Sequence, residues 1–574
     1  MPHVTFGNPK TDVIYAIDAY LQHARSTSDG VDTTTGSSAN LALASVWLQN
    51  CLRGHPLCSK VIAHQKTGFH PRRLINLEDP AKPFLQVMSG SSVPYIALSY
   101  AWGEGYRFLT ESHNYDTHQI CLPLDKLPRT FKDAMRVVST LGYTHIWIDA
   151  LCIIQNVPED LEAELPIMGD IYRHAVFTIY AEGSSSSQAG LFHARNPLAN
   201  QPCAVTVTGL GTDPASQTTL TLATKVTGPD YLKARSWVLQ EEVLTCRFLA
   251  FGSKQISWRC ITATASETHP APRPRSNPVT DVLARDAIDR LRMWLYAPVE
   301  MMGASSTQGQ GGLRRDNHFD AWYAVVEEYS GRQLRAVSDN IPALSGLAAV
   351  FARCHGARYR AGLWAEDVQQ GLAWYVALGD CRAVVSVEGP PSWSWAGVGK
   401  VRVRFRSWEA HSANVAGEGV EMVEAGDDMA SPVVNPWGAV KWGPLRLRGR
   451  MWKGVLKPSE EYARYRTRPV LRPGDNPFPG FGGEDKKEHP RFPAVIADGD
   501  TGELVAEAAL DADMAGGPGV EVFCLLLHVQ TSYGTRRYTF LVLVEICSDG
   551  TDVTVYKRIG LGWASEGGSR VVKF

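Results

Sequence analysis

The 574-residue chain lacks the short motifs that mark several large enzyme classes. It has no G-x-x-x-x-G-K-[ST] phosphate loop, no G-x-S-x-G nucleophile elbow and no H-E-x-x-H pair. No G-x-G-x-x-G stands between a strand and a helix. These absences count against an NTPase, an α/β-hydrolase, a zincin and a dinucleotide oxidoreductase. No apolar run approaches the roughly 20 residues needed to span a bilayer. The first residues, MPHVTFGNPKTDVIYAIDAYL, lack a basic stretch followed by an apolar one, which argues against a signal peptide. Excess charge of one sign is also missing. Lys and Arg total 57 against 59 Asp and Glu, a formal net charge of -2. That balance gives no general case for nucleic-acid or anionic-membrane partners. The 11 cysteines are odd in number and scattered, so reduced thiols in an intracellular, cytoplasmic setting are expected.

What is present is an ordinary globular composition, 44% hydrophobic and 20% charged, long enough for two to four domains. A polar lead-in spans residues 1–40 and a helical or extended flank residues 41–94, with a helix starting near Asn40. Tyr95 to Tyr100 is an apolar run short enough for a buried strand. Leu127 to Leu141 reads as a helix, with Thr130 and Asp133 as a capping box and Gly142 as its C-cap. HIWID (His145 to Asp149) and VFTIYA (Val176 to Ala181) read as further strands, with a helix ending near His174 between them. The alternation predicts an α/β fold, a mainly parallel sheet flanked by helices, over residues 95–260. A mainly helical region follows over 275–380, containing the linker Gly303 to Gly312. A β-rich antiparallel module follows over 381–574, with a long loop at 468–493.

Three patches carry the candidate chemistry: YIALSYAWGEG (Tyr95 to Gly105), LPRTFKDAMRVVSTLGYTHIWIDALCIIQN (Leu127 to Asn156) and RSWVLQEEVLTCR (Arg235 to Arg247). In the first, Ser99, Tyr100, Trp102, Gly103 and Glu104 follow a strand. Trp102 has the shape to stack on a planar base, or to pack a structural turn, and Gly103 lets the backbone turn sharply. In the second, Asp149 ends a strand, where open α/β sheets place their ligand crevice. A cap, or a pair with Arg129 or Arg173, is the favoured role on residue type alone. Cys152 reads as a buried thiol. Glu162 and Glu164 suit a solvated acidic first turn better than an active site. In the third, Trp237, Glu241, Leu244 and Phe248 fall near one helical face with Gln240 beside them, and Arg235 or Arg247 is the expected ion partner of Glu241. Cys51, His55 and Cys58 have a spacing that suits zinc, but no fourth ligand is near in sequence. Buried thiols and a capping histidine are preferred there, so no metal site is assigned.

The matches ALSYAWGE, LPRTFKDAM with LGYTHIWIDALCIIQ, MGDIYRHA with TIYA, and RSWVLQEEVLTCR, in this order, resemble the fungal heterokaryon incompatibility (HET) domain, with a core at 95–242. WLQNCLRGHPLC before it, and RAGLWAEDVQQGLAWY, PSWSWAG and YKRIGL after it, also fit long proteins of that family. The resemblance implies a TIR-like, flavodoxin-like fold and a role in nonself recognition that ends in growth arrest or cell death. Some TIR domains cleave NAD at the nicotinamide–ribose bond with a glutamate. By that likeness Glu164, four residues before Met168, is the catalytic candidate, and Ser99, Tyr100, Trp102 and Asp149 would line the pocket. NAD would be a substrate, with no resident cofactor. The alternative is a non-catalytic signalling module that self-associates through the HET domain and meets an incompatibility or signalling partner. Pro166, two residues after Glu164, disfavours a continuous helix there, and a helix starting near Leu165 would put Glu164 at its N-cap.

Overall fold

A computed structural model of the chain describes residues 33–63, 68–90, 92–196, 203–208, 217–222, 228–274, 287–296, 318–334, 336–377, 390–406, 413–422, 445–458, 493–498, 504–511, 519–532, 535–548 and 554–565. The expected lead-in before residue 33, the linker Gly303 to Gly312 and loop residues 468–492 lie outside them. Two compact units are present: Met1–Arg285 with Tyr296–Pro298, and Asp286–Leu295 with Val299–Phe574. No helix among the described residues is long and apolar enough to cross a membrane.

The first unit opens with helices α1 (Ser38–Gly54) and α2 (Pro56–Ala63). The Ser37 hydroxyl caps α1 by accepting from the Asn40 amide at 3.1 Å. Strands β1 (Arg73–Asn76), β2 (Phe84–Val87) and β3 (Ile96–Ser99) follow, then α3 (Tyr115–Ile120), α4 (Arg129–Thr140) and β4 (His145–Trp147). Next come α5 (Asp149–Cys152), α6 (Pro158–Glu164), α7 (Met168–His174) and β5 (Thr178–Tyr180). A separate hairpin pairs β6 (Cys203–Thr208) with β7 (Gln217–Leu222). Helix α8 (Ser236–Leu244) then leads to β8 (Arg247–Phe251), β9 (Ile256–Cys260), β10 (Ala263–Ser266) and β11 (His269–Pro274).

These strands form one sheet in the order β11-β10-β9-β8-β5-β3-β4-β1-β2. The central four, β8-β5-β3-β4, are parallel. Antiparallel strands extend the sheet on both sides, which a reading of its strand–helix alternation did not anticipate. Taken by themselves the central four run in the chain order 4-3-1-2, the flavodoxin-like arrangement, whose direction reverses between β3 and β5. β3, β4 and β5 are buried along their whole length, as apolar runs covered on both faces should be.

Helix α4 shows which local signals decided the fold. Phe131, Ala134, Met135 and Val138 are buried on one face, and Gly142 ends the helix with a left-handed φ of 82°. The expected capping box is not formed. The helix begins at Arg129, so Thr130 already lies inside it. Its hydroxyl accepts from the Gly190 amide at 3.1 Å, and Asp133 accepts from the Leu191 amide at 2.8 Å. The Thr-x-x-Asp pair therefore satisfies the loop after β5 rather than its own helix end.

The second unit contains α9 (Ala287–Tyr296), α10 (His318–Ser330), α11 (Ser345–His355) and α12 (Val368–Leu372), with the short pairs β12 (Tyr359–Arg360) with β13 (Leu363–Trp364) and β14 (Trp374–Val376) with β15 (Val403–Phe405). β16 (Ala413–Gly419) comes next, then the small pair β17 (Glu421–Met422) with β18 (Leu447–Arg448). β19 (Met451–Pro458), β20 (Pro493–Asp498), β21 (Leu504–Leu510), β22 (Val520–Ser532), β23 (Thr535–Ser548) and β24 (Thr554–Ser565) are antiparallel. Because β22 pairs with β23 as well as with β19, these six close into a barrel, and β16 adds to β22. Leu456, Ile496, Val522, Phe540 and Val542 belong to its buried apolar cluster.

Three distant motifs of this unit converge on Arg558. Its guanidinium pairs with Asp511 at 3.0 Å, donates to the carbonyls of Leu372 and Trp374 at 2.7 and 2.5 Å, and lies 3.5 Å from the Trp374 ring centroid. The Trp374 indole donates to Trp393 O at 3.0 Å, and the Trp395 indole to Gly362 O at 3.1 Å. RAGLWAEDVQQGLAWY, PSWSWAG and YKRIGL are thus parts of one buried, hydrogen-bonded hub. Asp511→Ala leaves the Arg558 cation buried without its partner, at a cost of about 3–5 kcal/mol. Denaturant unfolding is expected to show that loss. Lys453→Ala, which removes the exposed pair with Glu521, should cost at most about 1 kcal/mol.

Candidate functional site

Parallel strands end on one edge of a sheet, so the residues after β3 and β4 meet there. The chain leaves β3 through Tyr100, Ala101 and Trp102, and leaves β4 into α5 at Asp149. The Trp102 indole donates to Asp149 Oδ2 at 2.7 Å, and the Ala150 amide donates to Oδ1 at 2.6 Å. The Tyr100 hydroxyl also faces Asp149. Arg235, at the start of α8, donates Nη1 to the Tyr100 carbonyl at 2.7 Å and directs its charge toward Asp149 and Glu241. Burial raises the Asp149 carboxyl, against the Trp102 indole, the Tyr100 hydroxyl, the Ala150 amide and the charge of Arg235.

Glu241 projects from α8 into the same place and is 7% exposed. Burial pushes its carboxyl up to about 7; the Asp149 charge adds to this, while Ser99, Arg235 and Tyr172 oppose it. Ser99 Oγ and Glu241 Oε2 nonetheless make no hydrogen bond of full geometry. The guanidinium of Arg107 lies 5.4 Å from the centroid of the half-buried Trp102 ring. Gly103 has a φ of 74°, and a Cβ there would sit 2.2 Å from Ser186 Cβ, so the glycine admits the loop after β5. Glu104 is exposed in the turn, Trp237 is half-buried and Gln240 is buried. The expected helical face through Phe248 is corrected: α8 ends at Leu244 and Phe248 lies on β8. Asp149 makes no ion pair within 4.0 Å among the described residues, although the Arg235 charge acts on it, while Arg129 stands 4.0 Å from Asp133.

Glu164 occupies a second cluster, near the other end of α5. It is the last residue of α6; a 3-10 turn over Leu165–Ile167 carries Pro166, and α7 starts at Met168 rather than near Leu165. Proline lacks the amide that would continue α6, so the chain breaks there. Glu164 is 1% exposed, and its Oε1 accepts from Arg73 Nη2 at 3.2 Å. The same nitrogen holds Asp160 at 2.7 and 2.5 Å, and Arg73 Nε donates to the Cys152 carbonyl at 2.7 Å. Arg72 stands 3.9 Å from Glu164. Burial pushes the Glu164 carboxyl up to about 7, Arg73 and Arg72 pull it down, and Asp160 raises it. Its charged contacts are therefore Arg73, Arg72 and Asp160, and it does not pair with Trp102 or Asp149. Burial also pushes the Cys152 thiol up to about 12, as expected of an inert thiol.

Glu182 carries the same sequence signal as Asp149, an acid directly following an apolar strand. It lines a cleft of about 130 Å³ with Gly228, Gly252, Ser253, Lys254, Gln255 and Ser257. Burial pushes its carboxyl up to about 7, with the Asp230 charge adding. Glu182 and Gly252 follow β5 and β8, so the cleft lies on the edge of the sheet that carries Trp102 and Asp149. At the opposite edge, Cys51, His55 and Cys58 are joined by Cys260 at the end of β9.

Residues 95–241 match the model of the family described as heterokaryon incompatibility protein (HET). Residues 95–241 are a HET domain. No curated protein and no solved structure compared with it matches. The matched segment starts at Tyr95 and stops at Glu241, so it contains β3, β4, β5, both acidic clusters and most of α8. Arg73, which holds Glu164, lies outside it, as do β8 to β11.

The raised carboxyls set a pH dependence. Glu241 has an ordinary value of 4.5 and a folded value of about 7, so between these the folded HET domain keeps a proton that the unfolded chain has released. Stability therefore falls as pH rises through that window and levels off above it. Thermal unfolding midpoints from pH 4 to pH 8 are expected to fall this way, and Glu241→Gln should flatten part of the slope. A midpoint that rises through the window would contradict the assignment.

Proposed function

We propose that this chain acts in heterokaryon incompatibility, in nonself recognition that leads to growth arrest or cell death, and that its HET domain works by binding and self-association. The observation that carries the non-catalytic reading is the state of Glu164. A carboxylate that stabilises a ribosyl cation must face the substrate, whereas Glu164 is 1% exposed and held by Arg73. Asp149 is likewise committed to Trp102, Tyr100 and the Ala150 amide. The self-association reading draws support from the β2 edge of the sheet. There Val87 is 50% exposed and Ile120, on the adjoining α3, is 80% exposed. An edge strand with no further strand partner among the described residues, beside apolar side chains, favours pairing with another chain.

A specific observation favours a second reading, cleavage of NAD at the nicotinamide–ribose bond. The half-buried Trp102 and Asp149 lie at the carboxyl edge of a parallel sheet, where a planar base would be taken, and Glu164 has an elevated carboxyl next to that segment. In this reading Glu164 leaves Arg73 on assembly, stabilises the developing positive charge, and water accepts the ribosyl group. Incubation of the purified full chain with NAD, dilute and at assembly concentrations, separates the two. No nicotinamide release above the blank is expected, and Ile120→Asp should shift the chain toward monomer in analytical ultracentrifugation. Sustained release abolished by Glu164→Gln, with the fold intact, would overturn the non-catalytic reading and establish the second.

A further inference from the structure

We infer that Cys51, His55, Cys58 and Cys260 form a structural zinc site. The first three come from the end of α1, the α1–α2 junction and α2, and the fourth from the end of β9, 202 residues after Cys58. Their candidate ligand atoms all lie within 4.8 Å of one another. His55 Nδ1 is 3.4 Å from Cys260 Sγ and 4.0 Å from Cys58 Sγ. Zinc bonds of about 2.3 Å to sulfur and about 2.0–2.1 Å to nitrogen give tetrahedron edges of about 3.5–3.8 Å. The set therefore needs shifts of a few tenths of an ångström to about one to close on a single ion. A two-iron cluster would spread the same ligands over two metals, so the compact set favours one ion.

The surroundings suit thiolates. Arg247 Nε donates to Cys51 Sγ at 3.2 Å, the Ala263 amide donates to Cys260 Sγ at 3.3 Å, and Thr262 Oγ1 is 3.4 Å from Cys58 Sγ. Arg247 Nη2 also donates to the Cys58 carbonyl at 3.1 Å, which ties α2 to the start of β8. Such outer contacts orient ligands and balance their charge. The three thiols are buried and in no disulfide among the described residues. Three thiolates and one imidazole fill a tetrahedral ion and leave no open position, which is the pattern of a structural rather than a catalytic site. The position agrees: the cluster lies at the edge opposite Trp102 and Asp149, and all four ligands fall outside residues 95–241. The ion would fasten the N-terminal helical pair to the antiparallel flank of the sheet, and its binding energy would become folding energy.

The full chain, purified without a metal-affinity tag, is expected to hold about one zinc ion through dialysis, measured by inductively coupled plasma mass spectrometry. Cys260→Ser should weaken retention at least tenfold, and Cys121→Ser, which alters a thiol outside the cluster, should leave it unchanged. Should Cys260→Ser fail to fold, cobalt exchanged into the unaltered chain decides the matter. Intense visible bands with a thiolate-to-cobalt charge-transfer band are expected from a tetrahedral sulfur-rich site. A metal-free folded chain, zinc retained unchanged in Cys260→Ser, iron with acid-labile sulfide, or a pale octahedral cobalt spectrum would each overturn the site.

Discussion

The guanidinium of Arg73 is the contact on which the acidic half of the HET domain depends. It sits on β1, yet it reaches the carbonyl that ends α5 and the two buried carboxylates of α6, Asp160 and Glu164. A buried arginine shared by two acids is held by geometry: Nε and Nη2 are both used, and removal of the cation would leave Asp160 and Glu164 repelling one another out of water. One antiparallel flanking strand thereby sets the path of the chain from Asp149 to Pro166. Glu164 is closed off by the same contact, which is why the site reads as a binding surface with its strongest candidate acid turned inward.

The two edges of the sheet are built for different tasks. At the carboxyl ends, half-buried Trp102, Asp149 and Glu182 and the buried Glu241 are gathered near the point where strand order reverses, where α/β sheets take ligands. At the opposite edge, thiols, an imidazole and Arg247 bind the N-terminal helices to β8 and β9. In the second unit Arg558 does comparable work on a closed barrel, joining three motifs through carbonyls and one carboxylate. At the last two places a buried arginine, Arg247 or Arg558, satisfies groups from segments far apart in the chain.

Local signals were legible because they act over a few residues. Short apolar runs ending in Tyr100 and Asp149 marked parallel strands and their functional edge, Gly142 marked a helix end, and Pro166 marked a break. Long-range partners were not legible. Nothing near Cys58 points to Cys260, and nothing near Glu164 points to Arg73, 91 residues earlier. Thr130 and Asp133 have the spacing of a cap, but the loop after β5 presents amides that win both side chains. The antiparallel flanks escaped because strand direction is set by partners far away in sequence, as in the pairing of Ile75 with Ile146.

The most direct test of the central claim is a double-mutant cycle on Arg73 and Glu164. Arg73→Met, Glu164→Gln and the double variant are compared with the unaltered chain by denaturant unfolding. If Arg73 holds Glu164 inward, the two effects should be coupled by about 1–3 kcal/mol. Additivity within about 0.5 kcal/mol would mean that the carboxylate is free of the arginine and open to another partner.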